Sequence, residues 1–204
     1  MDWQKASAEL SKKLDPAHIK PAKQFGPKGD YVEGWFAMAE ANRIFGFDGW
    51  SYSIMECKPV SELPRAIGRD KKDGFGVSYV ATVRVMVDGV TREDVGAGHG
   101  YDVDLGLAHE SAIKEAVTDA LKRGLRSFGN PFGLALYDKS REHVGVNPPD
   151  DSVISSAVAQ IGQASTIEKM TDHWRQMPDE IRNHPEIIEA AKARKAELTE
   201  RKAA

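Results

Sequence analysis

Three cations within five residues, Lys122, Arg123 and Arg126, are the side chains best placed to do chemistry in this chain. They close the run IKEAVTDALKRGLRSFGNPFG, whose apolar spacing predicts a helix. Lys122 and Arg126 lie four apart and share a face, Arg123 lies about 100° away, and Lys114 stands two turns earlier. Two accounts of these cations are open. In one, Glu115 and Asp119 satisfy them along the helix, each pair contributing only ~0.2–0.5 kcal/mol. In the other they bind a polyanion. From Lys114 to Arg126 there are four cations and two carboxylates, and nothing acidic follows Asp119 until Asp138. Counting along the helix thus predicts unmatched cations at its C-terminal end, favourable to the helix dipole and available to a phosphate backbone.

Other chemistries find less support. No G-x-x-x-x-G-K-[ST] run encodes a nucleotide-phosphate loop. The stretch GAGHG at 96–100 is glycine-rich but precedes Asp102 and Asp104, which repel phosphate, and glycine's freedom predicts a tight turn there. His99, Asp102, Asp104 and His109 are ligand types that suit a divalent cation, and a metal-dependent nuclease using this acidic 99–109 loop is one rival reading. Their spacing matches no recognised metal pattern. The single cysteine, Cys57, excludes an internal disulfide and every multi-cysteine zinc site, and its expected role is packing.

These residues must be positioned by elements that the pattern also predicts. Residues 1–14 have helical spacing and stop at Asp15-Pro16. A basic, Pro/Gly-punctuated segment follows, with Lys20, Lys23 and Lys28. A second helix is expected from about Val32 to Phe45, ended by Gly46. Strands are expected at Trp50–Val60, Val77–Val87 and Val90–Val95, the last two joined by a primed turn at Asp88-Gly89. Residues 61–76 read as a charged loop and 96–106 as a glycine-rich link. The long helix is expected over Leu107–Phe128, burying Ile113, Val117, Leu121, Leu125 and Phe128. Residues 143–151 read as a linker, and 152–204 as a helical region capped at Ser165 or Thr166 and broken at Met177-Pro178 and His184-Pro185.

At 204 residues, 41% hydrophobic and 29% charged, the chain suits one ordinary domain with an appendage, or two small domains. No apolar run approaches the ~20 residues of a membrane helix, and the N-terminus lacks the apolar core of a signal peptide. A soluble, cytoplasmic protein with no membrane partner is expected. The net charge of −3 argues by itself against a nucleic-acid binder. Residues 1–146 hold 20 cations against 21 carboxylates, so no acidic tail conceals a basic domain; only local segregation of charge supports DNA binding.

Four blocks, in order, resemble the Rad52/Rad22 family of single-strand annealing proteins: LDPAHI, YVEGWFAMAEANRIFGFDGW, VRVMVDGVTREDVGAG and KEAVTDALKRGLRSFGN. They span residues ~10–140. The resemblance implies an α+β fold with a β-β-β-α core, an antiparallel hairpin and a long basic helix, followed here by a small C-terminal helical region. It implies a DNA-binding and oligomerisation domain over 1–142, ring or helical homo-oligomers, and single-stranded DNA held in a basic groove. It further implies strand annealing in homologous recombination and double-strand break repair, with no cofactor, no nucleotide hydrolysis and no enzymatic step. The family's groove cations match Lys122, Arg123 and Arg126, and its groove aromatic matches Tyr31, which is followed by Glu33 and Gly34. An early family arginine falls on Ala22, where Lys20 and Lys23 are the expected substitutes. Asp102, Asp104 and Gly74 stand where eukaryotic members carry a second, outer set of lysines, so a weak or rearranged outer site is expected. The short helical tail, in place of a long eukaryotic C-terminal region, suggests a bacterial or phage-type member. That tail offers a docking site for a host single-strand-binding protein; a second rival reading makes it the working part of a protein-interaction module.

Overall fold

The computed structural model describes residues 1–22 and 29–203. Two compact units emerge, Met1–Val146 and Asn147–Ala204. In the first, helix α1 (Trp3–Ser11) is capped by the Asp2 carboxylate, which accepts from the Gln4 and Lys5 amides. Strands β1 (Ile19–Lys20) and β2 (Tyr31–Val32) form a small antiparallel pair, Lys20 facing Tyr31 and Ile19 facing Val32. Helix α2 (Gly34–Phe45) ends at Gly46, whose φ of 83° needs a residue without a Cβ. Three long antiparallel strands follow in the order β3 (Trp50–Ile67), β4 (Lys72–Val87), β5 (Val90–Asp102). Helix α3 (Leu105–Arg126) then crosses the sheet. The fold is α+β with a β-β-β-α core, as expected.

Both hairpin turns use the left-handed region. Asp88 and Gly89 have φ of 44° and 82°, the primed turn that the sequence predicts. The β3–β4 turn occupies only residues 68–71, with Gly68 and Lys71 at positive φ. The expected loop over 61–76 is therefore strand. Its polar composition misleads because β3 is an edge strand with nearly every residue exposed, so no apolar alternation marks it. Edge position also tolerates Pro59 and Pro64, and register shifts between Ile54 and Glu56 and between Pro59 and Ser61 bulge the strand.

The glycine-rich stretch is strand as well. Gly96, Gly98 and Gly100 occupy alternate positions of β5 and turn to α3. A Cβ on Gly96 would lie 2.2 Å from the Ala120 nitrogen, on Gly98 2.1 Å from the Ala112 oxygen, and on Gly100 1.8 Å from the Ala108 oxygen. Opposite them, Ala108, Ala112, Ala116 and Ala120 recur every four residues and are fully buried. The helix therefore buries an alanine stripe, not the expected one: Ile113 is exposed and Val117 only half-buried, while Leu121 and Leu125 do reach the core. The period was right and the face was rotated, because the sheet leaves no room for large side chains there. On the neighbouring strand Val77, Ala81, Val83, Val85 and Val87 complete this surface, and Phe45 joins it to Phe128 and Phe132 at ring separations of 5.6 and 5.8 Å.

The second unit packs α4 (Asp151–Gln163), α5 (Ile167–Gln176), the short α6 (Asp179–Arg182) and α7 (Pro185–Ala203). Its buried residues include Ile154, Ala157, Ile161, Ala164, Met170 and Ile187, Thr166 caps α5, and Pro178 and Pro185 mark the expected breaks. The start of the expected linker belongs to the first unit: the Leu14 amide donates to the His143 carbonyl at 2.9 Å, and the Gly145 amide to Leu14 at 3.0 Å.

Gly98→Ala is expected to destabilise the first unit by about 1–3 kcal/mol through overpacking against the α3 backbone. Ala97→Val, on the open face of the same strand, should stay within about 0.5 kcal/mol. Urea unfolding of the two variants measures the contrast.

Candidate nucleic-acid interface

The C-terminal half of α3 is held against the sheet by the alanine stripe, and this aims its opposite side at the small β1–β2 pair. Between them runs an open groove of about 420 Å³. Its floor and walls include Tyr31, Lys122, Arg123, Arg126, Tyr137 and Arg141. Short 3₁₀ turns at Asn130–Phe132 and Leu134–Leu136 carry the chain back beside α3, so that Tyr137 and Arg141 face it. Gly133, with φ of 94° and at the edge of the groove, makes the corner between those turns.

Each cation has a defined neighbour. The Lys122 ammonium sits 5.6 Å from the centre of the Tyr31 ring, a cation–π arrangement. The Arg126 guanidinium lies 4.2 Å from the Tyr137 ring and also donates to the Tyr137 hydroxyl of that side chain. Arg123 Nε donates to Asp94 Oδ1 at 3.0 Å, and Arg126 approaches the other oxygen of Asp94 at 3.8 Å. Arg141 donates to Asp30 at 3.1 Å. Partial burial works against the Arg123 charge, but the Asp94 hydrogen bond and field outweigh it and hold the guanidinium above the ordinary arginine range.

Counting along the helix therefore misjudged these cations. Arg123 and Arg126 are matched, by a carboxylate on β5 that is 29 residues before Arg123. Sequence distance hid Asp94, and the same holds for Tyr137 and Arg141, which carried no local signal. Of the other expected residues, Tyr31 lines the groove and Lys20 stands beside it on the paired strand, 3.8 Å from Glu33. Lys114 stands apart, far up the helix, highly exposed and paired with Glu110. Lys23 and Lys28 lie outside the described residues.

The residues considered for a metal are dispersed over other partners. His99 Nδ1 is 2.8 Å from the Ser78 hydroxyl, and His109 lies between Tyr79 and Glu62 at 3.2 Å each. The Asp104 carboxylate caps α3 by accepting from the Leu107 amide, and Asp102 accepts from the Asp104 amide. Among the described residues no group of three His, Cys, Asp or Glu side chains is gathered to hold a metal ion. No described helix is long and apolar enough to cross a membrane.

What the groove can do is hold a flexible polyanion: fixed cations for phosphates, and π faces beside them. Fold and groove together define an α+β domain with an open groove lined by cations and aromatic rings. The chain belongs to the Rad52/22 family of double-strand break repair proteins, whose family model matches residues 2–150. It is 38% identical over 187 residues to the DNA repair and recombination protein RAD52 of Eremothecium gossypii, covering 87% of this chain and 42% of that one. The RAD52 protein of Kluyveromyces lactis is 42% identical over 149 residues, 70% of this chain and 33% of its own length. The DNA repair and recombination protein rad22 of Schizosaccharomyces pombe is 38% identical over 152 residues, 70% and 30% of the two chains. The chain thus spans less than half the length of these relatives. They are eukaryotic proteins, and they lend no support to the bacterial or phage-type assignment.

Asp94→Asn would leave the geometry in place and remove the carboxylate shared by Arg123 and Arg126. The variant should elute from a phosphocellulose column at higher salt than the wild-type protein, with an unchanged circular dichroism spectrum.

Proposed function

We propose that this chain binds single-stranded DNA in the α3 groove and anneals complementary strands without nucleotide hydrolysis, serving homologous recombination and double-strand break repair. The observation that carries the reading is the convergence of Lys122, Arg123, Arg126 and Arg141 with Tyr31 and Tyr137 in one open groove. Family membership supports it, since the relatives are named as DNA repair and recombination proteins.

The physical task is to hold a strand firmly while its base edges stay free to test a second strand. Cations on phosphates meet the first need without sequence preference, because every phosphate is alike. Bases are left to pair, and their pairing drives annealing; the protein forms and breaks no covalent bond. We assign the chain to a homo-oligomer, ring or helical, in which copies of the groove make a continuous track and modest contacts add up. The outer edge of β3, paired on one side only, is available for such assembly, whereas on β5 the Ala97 and His99 amides already donate to the Asp119 and Glu115 carboxylates of α3. Over residues 1–142 this reading places DNA binding and oligomerisation, and it leaves the helical unit to meet a single-strand-binding protein or a neighbouring subunit.

Lys122→Glu and Arg126→Glu should each abolish annealing of complementary oligonucleotides while circular dichroism and particle mass are retained. Annealing that survives both changes overturns the groove assignment. Arg126→Gln should flatten the log–log salt dependence of single-strand affinity by about 0.7, the loss of one phosphate contact. Residues 1–146 alone should still anneal; annealing that needs the helical unit, with the first unit folded, would favour the interaction-module reading.

A further inference from the structure

Trp35 is 61% exposed, unusual for so large an apolar side chain, yet it is not loosely held. Its indole N–H donates to the Glu33 carboxylate at 3.1 Å. The ring meets Phe36 edge-on, with centroids 6.0 Å apart and planes at 83°. Phe36 is itself buried and stacks on His18 at 4.1 Å. Glu33 occupies the N-cap position of α2 but makes no cap hydrogen bond with its side chain, which is taken up by Trp35 and, at 3.8 Å, by Lys20. Lys20 is the cross-strand partner of Tyr31, and Tyr31 lies beneath Lys122. Lys122, Tyr31, Lys20, Glu33 and Trp35 therefore form one continuous row leading out of the cation groove.

The charge changes along that row. Around Lys122 a net positive field suits a phosphate. At the far end the only cation among the described residues of the row, Lys20, is already paired with Glu33, and what Trp35 presents is an apolar π face. The part of a nucleotide that fits there is the base. We propose that Trp35 is a base-stacking platform that receives a nucleobase of the strand whose phosphates lie in the groove, with Glu33 as the residue that fixes the indole's orientation. This rests on the single-strand reading above and adds a base contact to it. Orientation set in advance lowers the entropy lost on stacking, and a π face accepts any base, so the contact strengthens binding without imposing sequence.

The test separates base from backbone. The 204-residue wild-type chain, Trp35→Ala and Trp35→Phe are titrated by fluorescence anisotropy against a labelled oligo-dT and against an abasic strand with the same number of phosphates. Trp35→Ala should weaken oligo-dT binding about tenfold and leave abasic-strand binding within about twofold. Trp35→Phe, which keeps a π face, should stay within about threefold of wild type on oligo-dT. The salt slope should be unchanged, since no phosphate contact is lost. Equal losses on both strands, no loss on either, or a changed particle mass by mass photometry would overturn the platform; the last would make Trp35 a contact between copies of the chain. Failure of the wild-type protein to bind either strand, or indifference of binding to Lys122→Glu, would instead sink the underlying single-strand reading, whatever Trp35→Ala does.

Discussion

The close approach of α3 to β5 is the constraint on which the rest of the first unit depends. Backbone comes within contact of backbone because glycine recurs every second residue on the strand and alanine every fourth on the helix. The two periods match because alternate strand positions and successive helical turns advance by similar distances, about 6.8 and 5.4–6 Å. Removing side chains from both surfaces costs hydrophobic area at that contact. The structure recovers it on either side, where β4 supplies valines and Phe45 stacks on Phe132 and meets Phe128 edge-on at the helix end.

The same approach sets the electrostatics of the groove. With α3 pressed on the sheet, Asp94 of β5 reaches the guanidinium groups of Arg123 and Arg126, and the turns after α3 return Tyr137 and Arg141 to the same side. The guanidinium groups of Arg123, Arg126 and Arg141 are matched by carboxylates from other parts of the chain, so a protein of net charge −3 still gathers cations in one groove. The exposed Arg141–Asp30 pair contributes roughly 0–1 kcal/mol, whereas the pairs that Asp94 makes with Arg123 and Arg126 are partly buried. The carboxylates of Asp94 and Asp30 hold these cations in position. Local arrangement, not the sum of charges, decides what the surface attracts.

The helical unit is built on another principle. Its α5 is capped by Thr166, Pro178 and Pro185 mark breaks between its helices, and it buries branched aliphatics such as Ile154, Ile161 and Ile187 in the usual amphipathic way. That is why its breaks and its Thr166 cap could be read directly from the chain. The first unit resisted at the places where tertiary contact overrode propensity. Residues 61–76 look like a loop because an exposed edge strand carries no apolar alternation. Gly96–Gly100 look like a turn because glycine disfavours strand unless another backbone needs its space.

By itself the sequence determined the order and type of most elements, the Asp88-Gly89 turn, the stop at Gly46, and the cluster Lys122, Arg123 and Arg126. All of these are signalled within a few residues, where backbone preference and periodicity act. Four ordered blocks also carried the family. Tertiary structure alone decided which face of α3 is buried, that Asp94 answers two of its arginines, and that Arg141 and Tyr137 join Tyr31 in one groove. It alone showed Trp35 fixed and exposed at the end of that row. Those facts depend on side chains far apart in the chain meeting at ångström distances, and packing between elements, which local sequence does not encode, sets those distances.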